Sequence, residues 1–272
     1  MKGWLIYNKK GYERNGWFAN ELIKYLGCRL IIAEELEFGV NNGVYFKYRG
    51  EDILPPPYAV QRSVYPILSS TLELGGTRVF NSSRVCEICN DKRKTHLFAT
   101  RLNIPTLRTA FSAGDFLSSP FLPSVVKGAS GHGGNEVFYA EDKAQLEKAL
   151  SNIKDKGLLF QTMATDVGID KRVYILGGKV LATVKRQARE GFKSNFSLGG
   201  EAFLSDLSPK EKEIADKLVA HLKPDFVGVD FIYNEGEPYL NEVEDIVGTR
   251  MLYSLTDINS AKVYAEYILD NI

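Results

Sequence analysis

The chain has 272 residues, with 34 lysines and arginines against 34 aspartates and glutamates. This even balance lacks the basic surface typical of nucleic-acid-binding proteins, and no apolar run reaches the roughly 20 residues that span a bilayer. The length and the 44% hydrophobic content indicate about two globular domains. The apolar stretch near the amino terminus is too short for a secretory signal, so we expect a cytoplasmic protein.

The first third of the chain predicts a small α/β unit. Strands are expected at residues 4–7, 30–32, 44–48, 58–60 and 78–80, and helices at about 17–26 and 66–74. A polar turn rich in glycine and asparagine separates the first strand from the first helix. Pro55, Pro56 and Pro57 are predicted to form a loop, because proline fits neither a helix interior nor a central strand.

A helix is predicted from about Ser83 to Leu102, and it contains a C-x-x-C pair, Cys86 and Cys89. Structural zinc needs four ligands, but there is no second C-x-x-C and His96 is the only nearby imidazole. Redox C-x-x-C pairs normally lie at a helix start directly after a strand. We therefore expect plain, partly buried thiols.

Further along, a lysine and a glycine-rich loop follow one another. Strands are expected at residues 106–111, 124–127, 136–139 and 157–161, with a short helical piece after the first and a helix from Asp142 to about Ile153. Lys127 ends the second of these strands, and glycines recur at positions 128, 131, 133 and 134. Such a loop lets backbone N–H groups approach a phosphate, and lysine adds a positive charge. The loop matches neither a Walker A nor a G-x-G-x-x-G pattern, and a flexible hairpin explains it equally well.

The last third predicts two hairpins and two helices. Strands at residues 172–176 and 179–185 flank Gly177 and Gly178, which supply the positive φ angles of a two-residue turn. Ser208 and Glu211 form a capping box for a helix to about Leu222. A second hairpin is expected over residues 225–245, and a helix begins at about residue 257.

Three acidic residues are predicted to converge on the second hairpin. With its turn near Gly236, Asp230 faces Glu242, and Glu244 shares that face because side chains alternate along a strand. Leu240 is expected on the same face. Three carboxylates so close repel one another unless a cation lies between them, and magnesium favours such oxygen ligands. A solvated acidic strand face is the alternative.

Cationic residues cluster on the first hairpin and just after it. They lie in three short segments: Asp170-Lys171-Arg172, Lys185-Arg186-Gln187 and Lys193-Ser194-Asn195. Clustered cations need an anionic partner, which the three acids or a phosphate chain could supply; scattered surface charge is the alternative. Taken together, the cations, the glycine-rich loop and the acids describe a site for a nucleoside triphosphate.

These residues, in this order, resemble the ATP-grasp superfamily and, within it, the RimK-type carboxylate–amine ligases. The resemblance covers almost the whole chain and is strongest from Asn90 to Glu244. It implies an α/β (α+β) ATP-grasp fold with a small N-terminal α/β pre-ATP-grasp domain. The expected division is an N-terminal domain over residues 1–82, a lid subdomain over 83–165 and a C-terminal catalytic subdomain over 166–272.

The resemblance also implies roles for individual residues. Nucleotide contacts are implied at Lys92, Lys127, Gln161, Thr162, Met163, Asp170 (at the ribose), Lys193, Ser194 and Asn195. Catalytic roles are implied for Arg172, Arg186 and Asn195. The implied metal ligands are Asp230, Glu242 and Glu244.

The implied activity is an ATP-dependent ligation of a carboxylate to an amine through an acylphosphate. ATP and Mg²⁺, with Mn²⁺ as a substitute, are the expected cofactors, and a phosphotransferase is the alternative. The substrates would be an amino acid, a peptide or a protein tail, and we expect a homo-oligomer. The family's usual Glu-Val-Asn-Ser-Pro-Gly is replaced here by Glu-Val-Glu-Asp-Ile-Val from Glu242 onward, which leaves the acceptor open. Arg62 and Arg250 are each either binders of a substrate carboxylate or surface ion-pair partners, and His132 in the glycine-rich loop is expected to be merely polar.

Overall fold

The computed structural model describes residues 2–112, 114, 121–131, 136–154, 157–189 and 200–272. Within these residues, sixteen strands form four sheets and eight α-helices pack around them. No described helix combines the length and the apolar composition needed to cross a membrane. The fold is mixed α/β, as predicted.

The N-terminal part holds a parallel sheet and a small antiparallel one. The parallel sheet has the order β2-β1-β6-β7, and its strands are β1 (Trp4–Tyr7), β2 (Arg29–Ile32), β6 (Tyr58–Gln61) and β7 (Arg78–Phe80). The antiparallel sheet is made of β3 (Leu36–Val40), β4 (Val44–Tyr48) and β5 (Glu51–Ile53), after a 3₁₀ turn at Ala33–Glu35. Helices α1 (Lys9–Leu26) and α2 (Pro66–Leu74) connect the parallel strands. The proline triplet lies in the loop between β5 and β6, as expected.

The first helix begins eight residues earlier than the sequence pattern predicted. Asn8 caps it, its side-chain oxygen accepting a hydrogen bond from the backbone N–H of Gly11 at 2.6 Å. The predicted polar turn is therefore wrong, because a good N-cap and the packing of Phe18 and Leu22 in the core outweigh the low helix propensity of Gly11 and Gly16.

The middle of the chain holds two short helices and a four-stranded antiparallel sheet. The single helix predicted over 83–102 is wrong. Helix α3 (Ser83–Cys89) ends at Asn90, and Asp91 caps a second helix, α4 (Lys92–Arg101), by accepting from the Arg93 backbone. The sheet has the order β10-β9-β11-β8; its strands are β8 (Thr109–Ala110), β9 (Ser124–Gly128), β10 (Val137–Ala140) and β11 (Leu158–Thr162), with α5 (Lys143–Asn152) after β10. Strand β8 is shorter than predicted, since only Thr109 and Ala110 pair with β11.

The largest sheet has five antiparallel strands in the order β14-β13-β12-β15-β16. They are β12 (Ile169–Leu176), β13 (Lys179–Gln187), β14 (Glu201–Leu204), β15 (Phe226–Asn234) and β16 (Glu237–Glu244). Helix α6 (Pro209–Leu222) lies between β14 and β15, and α7 (Arg250–Leu255) and α8 (Ser260–Leu269) close the chain. The capping box at Ser208 and Glu211 is confirmed, as is the turn at Gly177 and Gly178, with φ of 55° and 80°.

Hydrophobic cores lie on both faces of this sheet. Alternate residues of β12 separate cleanly: Tyr174 and Leu176 pack with Phe226 against α1 and α8, whereas Val173 and Ile175 pack with Val229 against α4 and α6. Because side chains alternate along a strand, Asp170 and Arg172 project from the same face as Tyr174. The five-stranded sheet is therefore held rigidly from both sides, and the functional residues extend from the end of one core face.

Candidate functional site

The three predicted acids meet on the last hairpin. Asp230 on β15 pairs with Glu242 on β16, and Glu244 follows two residues later. One oxygen of each carboxylate lies within 4.8 Å of the others. Asp230 is 1% exposed, whereas the side chains of Glu242 and Glu244 retain 24% and 22%. The cluster is therefore at the border of the core, not on a solvated strand face.

One detail of the predicted hairpin is wrong. The register shifts between Asp230 and Phe231, so that Phe231 pairs with Leu240 and Asn241 becomes the extra residue of a β-bulge. As a result Leu240 lies with Val243 in the core on the opposite face, not beside the acids. The bulge frees Asn241 to turn toward the site.

Arginine side chains neutralise the acids. Arg172 on β12 stands directly opposite Asp230 and donates to it twice, from Nε to Oδ1 at 2.7 Å and from Nη2 to Oδ2 at 2.6 Å. The same Nη2 donates to Glu244 Oε1 at 2.7 Å. Arg186 on β13 donates to Asp230 at 2.8 Å and to both oxygens of Asp170 at 2.5 and 2.8 Å. The acids thus supply the anionic partner expected for the cations, and Asp170, predicted at the ribose, is engaged by Arg186.

These pairs determine the ionisation of the acids. Burial alone would raise the pKa of Asp230, but the charges of Arg172 and Arg186 outweigh it and lower the pKa to about 2. Loss of solvent raises the pKa of Glu244 to about 7, and the charges of Asp230 and Glu242 add to this while Arg172 opposes it. Asp230 is therefore firmly ionised, whereas burial works against the charge of Glu244.

Two lysines reach the site from the middle sheet and α4. Lys92, the first residue of α4, has its Nζ 3.4 Å from Glu242 Oε2 and donates to the Gly131 carbonyl. Lys127 on β9 donates to Gln161 Oε1 at 2.7 Å and to Asn241 Oδ1 at 2.9 Å. Burial lowers the pKa of Lys127 to about 8. Both ammonium groups therefore contact neutral oxygens, and Lys92 also forms a long ion pair. A phosphate could replace these partners.

The remaining predicted site residues divide into three groups. Thr162 and Met163 lie half-buried at the end of β11 and just beyond it, next to Gln161. Lys193, Ser194 and Asn195 lie outside the described residues, as does His132. Lys171, placed with the cation cluster from sequence, points to the opposite face, where its Nζ donates to Glu211 at 2.9 Å. The alternation of β12 separates it from Arg172.

Two residues of the site were not singled out as such from the sequence. Asn241 reaches Lys127 through the bulge, which the hairpin pattern did not reveal. His96 lies one helical turn after Lys92, with its Nε2 3.4 Å from Gln161 Nε2. A spacing of four residues on a helix places two side chains on one face, so the sequence could have indicated that His96 lies beside Lys92.

The two arginines considered for binding a substrate carboxylate and the two cysteines lie in different environments. Arg62 is buried; it donates to the Val247 carbonyl at 3.0 Å and lies over the Phe18 ring, 5.2 Å from its centroid. Arg250 is exposed at the start of α7. Cys86 and Cys89 are free and are more deeply buried than expected, and burial raises both pKa values.

The donor set suits a hard divalent cation. Asp230, Glu242 and Glu244 offer only carboxylate oxygens, converging within 4.8 Å, and magnesium binds through one or two such groups together with phosphate oxygens. The adjacent lysines and arginines can receive the phosphates. The described residues therefore fit a metal–nucleotide complex.

A family model described as "RimK-like ATP-grasp domain" matches residues 91–268. Other proteins resemble the chain in sequence over most of its length. An uncharacterized protein of Mycoplasma genitalium, MG011, is 28% identical over 272 residues, which cover 98% of this chain and 92% of the relative. A probable alpha-L-glutamate ligase of Maridesulfovibrio salexigens is 28% identical over 236 residues, covering 83% and 78%.

Solved structures resemble the fold over its whole length. A RimK domain ATP-grasp protein from Sphaerobacter thermophilus superposes with a TM-score of 0.74 at 18% identity, covering 99% of this chain and 100% of that one. The ATP-grasp ligase PsnB, complexed with a phosphomimetic variant of its minimal precursor, Mg and ADP, gives 0.69 at 13% identity, covering 99% and 98%. The predicted ATP-grasp fold is confirmed.

Proposed function

We propose that this chain, which belongs to the RimK-like ATP-grasp family and is an ATP-dependent ligase forming C–N bonds, activates a carboxylic acid as an acylphosphate and transfers it to an amine. The observation that carries the proposal is the buried cluster in which three convergent carboxylates contact two arginines and a lysine. A site built only for stability gains little from such a cluster, because desolvating so many charges costs free energy.

The roles of the residues follow from their charge and position. Asp230, Glu242 and Glu244 would hold Mg²⁺, or Mn²⁺ with the same oxygen ligands. When bound, the metal would neutralise charge on the phosphates. Lys92 and Lys127 would bind the phosphate chain, and Gln161, Thr162 and Met163 would line the nucleotide pocket. Lys193, Ser194 and Asn195 remain proposals from the family resemblance.

The proposed chemistry has two steps. A carboxylate oxygen of the acid attacks the γ-phosphorus of ATP, the bond to the bridging oxygen breaks, and ADP leaves with its electron pair. The amine nitrogen then attacks the acyl carbon, the carbon–oxygen bond to the phosphate breaks, and inorganic phosphate leaves with its electron pair and takes up the proton that the nitrogen loses as the amide forms. Arg172 and Arg186 would stabilise the negative charge that develops in both steps, an effect that for one preorganised donor is on the order of 10²–10³ in rate.

We infer the substrate class from the relatives. A relative named as a probable alpha-L-glutamate ligase and a neighbour complexed with a precursor peptide support an amino acid and a peptide or protein carboxylate as the partners to be joined. L-glutamate is the amine to test first. A homo-oligomer remains a prediction, as does the division into domains at residues 82 and 165.

The test is a product assay on the purified chain with ATP and Mg²⁺. A set of peptides and amino acids is screened for release of ADP and phosphate, and the amide is identified by mass spectrometry. A ligase releases both only when acid and amine are present together. ADP without free phosphate, with a stable phosphorylated product, would instead show a phosphotransferase and overturn the proposal.

Two variants control this assay. Arg172→Met should abolish turnover, because it removes the cation between Asp230 and Glu244. Asp216→Asn removes an exposed acid of α6 that pairs with Lys212, and it should leave turnover unchanged. Equal activity in the two variants would contradict the assignment of the site.

A further inference from the structure

The side chain of His96 is enclosed beside the proposed nucleotide site without serving any role assigned so far. It is 3% exposed and lies on α4 four residues after Lys92, hence on the same helix face. Its Nε2 lies 3.4 Å from the amide nitrogen of Gln161. Its other ring nitrogen, Nδ1, is buried and has no hydrogen-bond partner among the described residues.

The orientation of the Gln161 amide follows from its other contacts. Lys127 Nζ lies 2.7 Å from Gln161 Oε1, and an ammonium group can only donate. The carbonyl oxygen must therefore face Lys127, which turns the NH₂ group toward His96. The same NH₂ group lies 3.3 Å from Thr109 Oγ1.

The tautomer of His96 follows in turn. A ring nitrogen that faces an NH₂ group has to accept, so Nε2 carries no proton and the proton resides on Nδ1. The imidazole is then neutral, which agrees with the lowering of the His96 pKa to about 4 by burial and by the nearby Lys127 charge. This arrangement leaves the Nδ1–H donor unpaired within the part of the chain that the structure describes, a cost that an apolar side chain of similar size would avoid.

We infer that His96 is a positioning residue: its Nε2 accepts from Gln161, fixes the orientation of that amide, and thereby holds the Lys127 ammonium where the nucleotide binds. A series of side-chain hydrogen bonds runs from His96 through Gln161 and Lys127 to Asn241. It links α4 with β11, β9 and the bulge of β16. A donor at the His96 position would turn the amide over and present NH₂ to Lys127, which repels the ammonium. The inference rests on the proposed nucleotide site.

The tautomer is testable without any ligand. Long-range ¹H–¹⁵N correlation spectra of the ¹⁵N-labelled chain distinguish Nδ1–H from Nε2–H and from imidazolium. The chain has three histidines, so His132→Gln and His221→Gln variants assign the signals. We expect the Nδ1–H tautomer for His96 at pH 7. The Nε2–H tautomer or an imidazolium signal would overturn the inference, whatever the enzyme's activity.

The functional consequence is tested by titrating Mg²⁺ and ADP into the full chain by calorimetry. His96→Leu removes the acceptor and should weaken ADP binding by about tenfold, the size of one hydrogen bond, while the thermal midpoint stays within a few degrees of the parent or rises. His96→Gln, whose Oε1 can take the place of Nε2 and accept, should bind within about threefold of the parent.

The outcomes separate the two proposals. His221→Leu, at an exposed position on α6, should bind ADP like the parent and serves as the matched control. If the parent itself binds no ADP, the proposed function fails. If the parent binds ADP and His96→Leu binds it equally well, or if His96→Gln is as impaired as His96→Leu, the positioning role fails and the nucleotide site stands.

Discussion

Asp230 and Glu242 have the same proposed role but different surroundings, and this difference makes a sharp prediction. Both are placed as metal ligands, so Asp230→Asn and Glu242→Gln should each abolish ATP turnover. Asp230, however, is 1% exposed and accepts three hydrogen bonds from two buried arginines. Glu242 keeps 24% of its side-chain surface and, among the described residues, forms one ion pair, to Lys92 at 3.4 Å.

The two substitutions should therefore differ in stability. Removing one partner of a buried ion pair costs about 3–5 kcal/mol, because the remaining charges stay buried without compensation; the neutral amide still accepts part of the arginine bonds, so we expect about 3 kcal/mol for Asp230→Asn. A partly exposed pair is worth about 0–1 kcal/mol, which is the expected cost of Glu242→Gln.

Thermal unfolding measures this difference directly. For chains of about this size, 1 kcal/mol corresponds to roughly 2–4 °C, so Asp230→Asn should lower the unfolding midpoint by about 6–12 °C and Glu242→Gln by about 4 °C at most. Circular dichroism at low temperature should show both variants folded. Equal midpoints, or turnover retained in Asp230→Asn, would refute the assignment of Asp230 as both a ligand and the centre of the ion-pair network.

Three further predictions concern binding and stability. Because the acids are already paired with cations, Mn²⁺ should bind roughly 5–150-fold more weakly in the absence of ADP than in its presence. Electron paramagnetic resonance of Mn²⁺ measures both affinities, and equal values would contradict the pairing. Burial lowers the pKa of Lys127 to about 8, and only the protonated form attracts phosphate, so ADP affinity measured by calorimetry should fall as the pH rises through about 8. This fall should vanish in Lys127→Met, and its persistence there would assign it to another group. The Asn81 side chain makes four hydrogen bonds to backbone groups of Asp225, Phe226 and Asp245, so Asn81→Ala should cost about 2–4 kcal/mol in urea unfolding, and a loss under 1 kcal/mol would show that water replaces these bonds.

Local patterns predicted much of the fold because the deciding interactions are close in sequence. The capping box at Ser208 determines where α6 begins, and the structure confirms it. Asp230 faces Glu242 as predicted, but the turn alone, which pairs Asn234 with Glu237, would place Asp230 opposite Asn241; the bulge shifts the pairing to Glu242. The helix start at Asn8 was equally local, but two glycines in the first turns hid it. In such cases a capping side chain is stronger evidence than the propensity of the residues that follow.

The site itself depends on pairings that sequence order does not reveal. Arg172 meets Asp230 only because β12 pairs with β15, 58 residues along the chain. The bulge at Asn241 similarly has no sequence signature, yet it carries Leu240 into the core and Asn241 to Lys127. Alternation along β12 then decides that Arg172, not Lys171, faces the acids.

The charge arrangement of the free chain constrains how the site is loaded. Four described acids (Asp170, Asp230, Glu242 and Glu244) lie among four bases (Lys92, Lys127, Arg172 and Arg186), and the shortest contacts join acids to arginines. A cation alone would have to displace arginines that then remain buried with no anion, and a nucleotide alone would meet carboxylates. Phosphates that take over the arginines release the carboxylates for a cation, so each ligand removes the penalty of the other. This exchange of partners favours joint binding of metal and nucleotide. It also explains why buried acids are paired with the residues proposed to perform the chemistry.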